Sequence, residues 1–342
     1  MNIKSRTKLI MRVAAAVVTV ASIYIFAPWQ AGIYYFMPLP ATVQQQVDDA
    51  VNQGLDGIIV YVHKKGQQAE FYASGWHNRD KKIPANPKAL FKIASIGKLY
   101  NAAAVAKLVA NGTLVLDQTL GHYLPSLVGR IEHADEITLR MLVQHRSGIP
   151  NYTDHKDFDW GQALGGDDRL NLIIGSAADF KPNSDYEYSN TNYLLLGKIM
   201  DKALGYDKAQ YFKRELLAPL GLMHTFFSIN DIEIDELMSG YHVGYDEDFK
   251  QLDQGYIATA EDVGIFLRAL IDGTLFTDEE QEIYSSIYVY EHTGWVLGNS
   301  SRAHYHKDID TVVIQFVNTT GDDTVVMTEV IYNRIVRLLS ER

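Results

Sequence analysis

The sequence predicts an α+β protein: an antiparallel sheet flanked by helices, with an inserted and mostly helical subdomain, preceded by an N-terminal transmembrane segment. Three observations lead there. Strand-like runs open the body and return near its end, helical segments fill the interval, and a charge-free apolar stretch follows a basic leader. The 342 residues are 47% apolar and 21% charged, enough for one large two-lobed body or two domains. No cysteine is present, which removes disulfides, thiolate nucleophiles and cysteine-ligated zinc.

Lys4, Arg6, Lys8 and Arg12 are the only charged residues before Asp48. Basic residues ahead of an apolar run follow the positive-inside pattern, so the N-terminus is expected in the cytoplasm and the body on the periplasmic or cell-surface side. Residues 1–12 read as the leader and 13–36 as the membrane anchor, with Pro28 absorbed as a kink, since about 20 residues cross a bilayer. Thr19-Val20-Ala21 offers a small-x-small cleavage site but leaves a short apolar core, so a retained anchor is favoured over a cleaved signal. Residues 37–44, with Pro38-Leu39-Pro40, read as a stiff linker. Residues 45–342 form the body. Beyond the leader the chain carries 27 basic and 42 acidic residues, the wrong sign for nucleic acid. Small molecules or cell-wall-type substrates fit better.

Residues 44–53 look helical. Residues 57–63 and 70–75 flank Lys64-Lys65-Gly66 as a hairpin. From about 100 to 273 the pattern is helical, broken by clusters such as Asn111-Gly112 and Gly165-Gly166-Asp167-Asp168. Strand character returns over 286–290, 303–306 and 311–317. A last helix puts Met327, Ile331, Ile335 and Leu338 on one face, with Asp322-Asp323 before it and Arg334, Arg337 and Arg342 toward its end, as the macrodipole favours. If the first and last strands share a sheet, a cleft lies between that sheet and the helical lobe.

The chain has no G-x-S-x-G, H-E-x-x-H or P-loop motif. His304-x-His306 lacks a third ligand at metal-site spacing and reads as two strand-face histidines, so no metal or cofactor is implied. Ser95-Ile96-Gly97-Lys98 precedes Leu99, Ala102, Ala103 and Ala106 at helical spacing, so Ser95 falls in the first turn of a buried helix. Lys98, one turn on, then lies beside the Ser95 hydroxyl, and the helix start favours negative charge there. A lysine neutralised by burial can take the serine proton. Tyr188-Ser189-Asn190 is the only Y-x-N: the tyrosine near a lysine can act as a phenolate base, and the asparagine can hold a substrate carbonyl or the lysine amine. His292-Thr293-Gly294, at the end of the 286–290 strand, offers small residues and backbone to a ligand.

In this chain order the three motifs resemble the serine β-lactamase and penicillin-binding family, in its branch of class C enzymes, DD-peptidases and lactamase-like esterases. The likeness runs over residues 45–340. It includes the segment 90–98, Leu114-Val115-Leu116-Asp117 with Tyr123-Leu124-Pro125, the segment 137–150 with His145, Ser147 and Gly148, the segment 188–197, and the segment 255–262. It implies a β-lactamase/transpeptidase-like fold, with Ser95 as the acylated nucleophile and Lys98 and Tyr188 sharing general base and acid duty. By the same resemblance, Asn190 contacts substrate or lysine, and His292, Thr293 and Gly294 line the substrate strand. The backbone N–H groups of Ser95 and Trp295 would form the oxyanion hole. His145 and Ser147 read as a hydrogen-bonded turn. Departures are Trp295 where relatives often carry a small residue, Asn183 and Glu291 in place of glycines, and a short interval between Tyr188 and His292.

The expected function is a membrane-anchored serine hydrolase that forms a Ser95 acyl-enzyme from a small ester or amide. The alternatives are a DD-peptidase or D-aminopeptidase acting on cell-wall peptides, and a non-catalytic relative that binds a ligand or partner.

Overall fold

The two ends of the body build the central sheet. The computed structural model describes residues 3–321 and 324–341. Its strands are β1 (Gly57–Lys64), β2 (Glu70–Asn78), β3 (Ile83–Pro84), β4 (Phe91–Ala94), β5 (Thr225–Phe226), β6 (Tyr241–His242), β7 (Tyr256–Ala258), β8 (His292–Val296), β9 (Asn299–His306), β10 (Thr311–Val317) and β11 (Thr319–Thr320). Six form one antiparallel sheet in the order β3-β2-β1-β10-β9-β8. β1 pairs with β10 from Ile58 opposite Val317 to Lys64 opposite Thr311, so the first and last strands do share a sheet. Both are covered on two faces, and therefore read as unbroken apolar runs. Their side chains still alternate: Ile59, Tyr61, Ile314 and Phe316 enter one core, and Ile58, Val60, Val62, Val313 and Val317 the other.

The helices are α1 (Ile3–Phe26), α2 (Trp29–Phe36), α3 (Val43–Asn52), α4 (Gly97–Ala110), α5 (Leu120–Tyr123), α6 (Leu139–Val143), α7 (Gly166–Asn171), α8 (Asn190–Leu204), α9 (Lys208–Phe212), α10 (Ala260–Asp272), α11 (Asp278–Ile287) and α12 (Thr324–Ser340). One face of the sheet is covered by α3 and α12, the latter through Met327, Ile331, Ile335 and Leu338 as its periodicity predicts. On the other face α10 packs against β1, β9 and β10, so close at Gly264 that a Cβ there would run into the Tyr61 ring. Between this layer and the lobe lies α4, buried almost all round.

Four expectations need correction. The span 286–290 is not a strand: α11 runs through Ile287, started by a capping box between Thr277 and Glu280, and Ile283, Tyr284 and Ile287 follow helical spacing. The lobe does not reach residue 273 as a helical unit, because α10 belongs to the sheet layer and the interval also contributes β5 and β7, which pair with β4 in a small sheet. Strands of two or three residues leave no periodicity to read. Third, the apolar stretch 13–36 is not one kinked helix. It bends at Ala27-Pro28 between α1 and α2: the apolar part of α1, Ile10–Phe26, makes an angle of 76° with α2, and among the described residues no single helix is long and apolar enough to cross a membrane, while the bent pair together has the length and composition to do so. Finally, the linker 37–44 is not free. Arg334, toward the end of α12, is 2% exposed and donates to Tyr34 O (2.8 Å), Met37 O (2.7 Å), Pro38 O (2.9 Å) and Gln46 Oε1 (2.8 Å). Ala31 and Tyr34 of α2 are buried in the same cluster, and the Tyr34 hydroxyl donates to Asp49 at 2.6 Å. Asp322, Asp323 and Arg342, assigned to the ends of α12, lie outside the described residues.

This clamp makes a truncation series diagnostic. Removing residues 1–27 should leave the body's unfolding midpoint in urea unchanged. Removing 1–40 deprives the buried Arg334 guanidinium of its carbonyl partners and should cost about 3–5 kcal/mol, the scale of orphaning a buried charge.

Candidate active site

Ser95 sits where a short strand turns abruptly into a core helix. β4 ends at Ala94, whose φ of 48° lies in the left-handed region that alanine rarely occupies. Ile96 N then donates to Ile93 O and Lys98 N to Ser95 O, so Ser95 lies in the turn just ahead of α4 rather than inside the helix. Its own N–H has no acceptor among the described residues, which leaves it available to a developing oxyanion.

Three side chains converge on the Ser95 hydroxyl or on its neighbour Lys98. Lys98 Nζ is 3.1 Å from Ser95 Oγ and 2.9 Å from Asn190 Oδ1, while the Tyr188 hydroxyl donates to Ser95 Oγ at 2.7 Å. Asn190 is the first residue of α8 and is held by its N–H to Asn151 Oδ1 at 3.0 Å. Lys98 is 7% exposed and forms no ion pair among the described residues; it faces the rings of Tyr188 (4.8 Å) and Tyr193 (5.3 Å). Burial pushes its pKa down to about 7. Burial also raises the Tyr188 phenol to about 12, and the Ser95 hydrogen bond offsets only part of this. At neutral pH the pair is therefore a partly neutral amine and a protonated phenol. Burial thus disfavours the phenolate that the sequence offered as a base at Tyr188.

His145 and Ser147 hold the 188–192 segment in place. The His145 ring stacks between Tyr188 (4.5 Å) and Tyr193 (5.1 Å) and its Nδ1 accepts from Ser189 N, while Ser147 Oγ donates to Asn192 Oδ1 at 2.7 Å. His145, with φ of 58°, is pushed down to about pKa 3, mainly by burial and further by Lys98 and His292.

His292, Thr293, Gly294 and Trp295 begin β8, the edge strand of the main sheet, instead of ending a preceding one. Gly294 is required there: a Cβ would lie 2.4 Å from Ile93 O and 3.0 Å from the Ala94 Cβ. Its absence brings the edge strand alongside Ser95. The His292 ring stacks on Tyr288, and its Nδ1 lies 2.5 Å from Thr293 O. Burial lowers it to about pKa 4, so it is neutral at pH 7. The departure Glu291 has a partner in His304, whose Nε2 lies 2.5 Å from Glu291 Oε2, and His306 bonds the Tyr332 hydroxyl.

A cleft of about 210 Å³ opens onto Ser95, Lys98 and Asn190. Its outer wall contains residues that the motifs did not reveal: Phe158, Trp160, Arg169 and Gln254. The available signal was two aromatic side chains in a loop otherwise rich in Asp and Gly, since functional side chains concentrate on loops.

The neutral form of Lys98, the one able to accept a proton, exists above its pKa. The rate at which a fluorophosphonate modifies Ser95 should therefore rise about tenfold per pH unit below pH 7 and level off above it. Mass spectrometry of the Ser95 peptide against pH measures this.

A family model described as Beta-lactamase matches residues 39–298. "Protein flp" of Staphylococcus aureus strain MRSA252 is 29% identical over 206 residues, 58% of this chain and 41% of that protein. A "Beta-lactamase" of Pseudomonas fluorescens is 29% identical over 211 residues, 60% of this chain and 55% of that protein. The chain thus spans about two fifths to just over half the length of these relatives. The fold matches that of D-amino acid amidase from Ochrobactrum anthropi SV3 in complex with L-phenylalanine (TM-score 0.78, 20% identity, 87% of this chain and 98% of that one). It also matches a penicillin binding protein from Bacillus halodurans (TM-score 0.72, 20% identity, 84% and 99%). With the family model spanning well over half its length, the chain belongs to the beta-lactamase family.

Proposed function

We propose that the chain is a membrane-tethered serine hydrolase that forms an acyl-enzyme on Ser95 from an ester or amide and releases the acyl group to water. The observation that carries this reading is the Ser95 hydroxyl held between Lys98 Nζ at 3.1 Å and the Tyr188 hydroxyl at 2.7 Å, with Lys98 desolvated. Neutral Lys98 takes the Ser95 proton as Oγ attacks the carbonyl carbon. The oxyanion is received by the N–H of Ser95 and that of Trp295 on the edge strand. As the tetrahedral species collapses, the Tyr188 hydroxyl protonates the leaving nitrogen or oxygen and is reprotonated from Lys98. Water then attacks the acyl carbon as it gives a proton to Lys98, and Lys98 returns that proton to Ser95 Oγ as the C–O bond breaks and the carboxylic acid leaves. Asn190 holds the lysine amine in line. An idle binding relative has no physical need of all four groups in this arrangement.

The outer edge of β8, which pairs with no strand among the described residues, supports a second reading, a peptidase, because an extended peptide can pair with a free strand edge beside the nucleophile. Structural neighbours named as D-amino acid amidase, D-stereospecific amidohydrolase and penicillin binding protein are in keeping with amide substrates.

The tether is supported by α1, whose apolar side chains Ile10, Val13, Val17 and Val20 are all exposed behind the basic leader. In this reading α1 enters the bilayer, with Lys8 and Arg12 at the cytoplasmic surface. The bent α2 lies along the outer interface, presenting the exposed Trp29, Ile33 and Phe36, and the body is extracytoplasmic.

Two experiments test the proposal. Ser95→Ala and Lys98→Met should each abolish turnover about as completely as the double variant, because the two groups act as one unit, while Tyr188→Phe should lower turnover by roughly 10²-fold or more and leave Ser95 slowly modifiable. A Ser95→Ala protein that stays active and is still labelled contradicts the assignment. Protease added to spheroplasts should digest the body, and the protein should sediment with membranes. A soluble mature chain beginning near Ser22 would show cleavage instead.

A further inference from the structure

We propose that the cleft selects N-acylated aromatic substrates: an ester or amide whose acyl half carries a ring and a blocked, neutral amine in place of a free ammonium. This rests on the hydrolase reading above and adds the substrate class to it.

The first observation is a continuous run of rings along the cleft. Tyr152 meets Phe158 at 5.4 Å, Phe158 meets Trp160 at 5.1 Å, and Trp160 meets Trp295 at 5.2 Å, the last two nearly perpendicular. Tyr152, Phe158 and Trp160 come from the lobe and Trp295 from β8, so the two walls meet through Trp160 and Trp295. Edge-to-face packing fixes these rings and leaves apolar ring surface toward the cleft, the surface on which a further ring packs best.

The second is a polar pair with unused capacity. Gln254 is 8% exposed; its Nε2 donates to Trp160 O at 2.6 Å, which holds the aromatic loop, while its buried Oε1 has no partner among the described residues. Arg169, whose guanidinium lies 5.9 Å from the centre of the Tyr152 ring, has a buried Nε that is likewise unpartnered. Both side chains line the cleft. One offers an acceptor and the other a donor, the complement of an amide's N–H and C=O.

The third is charge. No aspartate or glutamate lines the cleft, whereas Lys98 and Arg169 do. The nearby Asp253 carboxylate accepts from Ser228 Oγ at 3.1 Å, and Asp154 from Asn151 Nδ2 at 3.0 Å. A free α-ammonium entering this space would be stripped of water beside a guanidinium that forms no ion pair among the described residues, its Nη2 lying 3.5 Å from the neutral Asp253 O. Acylating that amine removes the charge, keeps one N–H for Gln254 and supplies a carbonyl for Arg169.

The test uses the full chain and three methyl esters, each as both enantiomers: phenylalanine, N-acetyl-phenylalanine and N-acetyl-alanine, at about pH 6.5, where the free amine is still charged. The N-acetyl-phenylalanine ester should exceed both others in kcat/KM by about tenfold or more. Trp160→Ala should bring the two N-acetyl esters to within about twofold, and Arg169→Gln should narrow the gap between blocked and free phenylalanine esters. Fluorophosphonate labelling of Ser95 serves as the control on the underlying reading. If Ser95 is labelled but the free phenylalanine ester is turned over as fast, or Trp160→Ala leaves the ring preference intact, the substrate assignment is overturned and the hydrolase reading stands. If wild-type Ser95 is neither labelled nor active on any ester, the hydrolase reading falls and takes this proposal with it.

Discussion

The desolvation of Lys98 is the constraint on which the site depends. An ammonium surrounded by α4, Tyr188 and Tyr193 with no carboxylate beside it is costly, and the chain relieves that cost by letting the amine lose its proton near pH 7. A surface lysine three residues after a serine would remain an ammonium and could not accept the serine proton. The alanine-rich α4 allows helices to pack close on every side, and the sheet layer and the lobe both close against it. Burial of this one helix joins the hydrophobic core to the chemistry.

The same desolvation separates the two partners of Ser95. It lowers an amine and raises a phenol, so in the proposed mechanism one environment prepares a base on one side of the hydroxyl and a proton donor on the other. In that mechanism the serine is activated by the amine and the phenol. The arrangement needs geometry: the left-handed Ala94 that turns Ser95 outward from β4, the missing Cβ at Gly294 that admits the edge strand, and the His145 ring that fixes Tyr188 from behind.

Much of this was legible in the sequence, and the limits follow from the physics. Ser95 and Lys98 could be paired because three residues make one helical turn, and β1, β10 and α12 because their periodicities are long. Tyr188 and Asn190 are separated from Lys98 by about ninety residues, so only motif order joined them to it. The 286–290 segment misled because β-branched and aromatic residues near a helix end resemble a strand when the capping box upstream is overlooked. The role of Arg334 was not legible, because nothing local reveals the carbonyls of Tyr34, Met37 and Pro38 that arrive from three hundred residues away. Ala94 carries no sequence sign of its positive φ.

The most direct test of the account is the titration of Lys98 itself. With lysine labelled at Cε with carbon-13, and the signal assigned by its loss in Lys98→Met, the chemical shift against pH reports the protonation of this one amine in the resting protein. The account predicts a midpoint near 7, far below the usual 10.5 of a lysine. A midpoint above about 9.5, close to that of a free lysine, would leave Lys98 a cation at neutral pH and contradict its role as the base for Ser95.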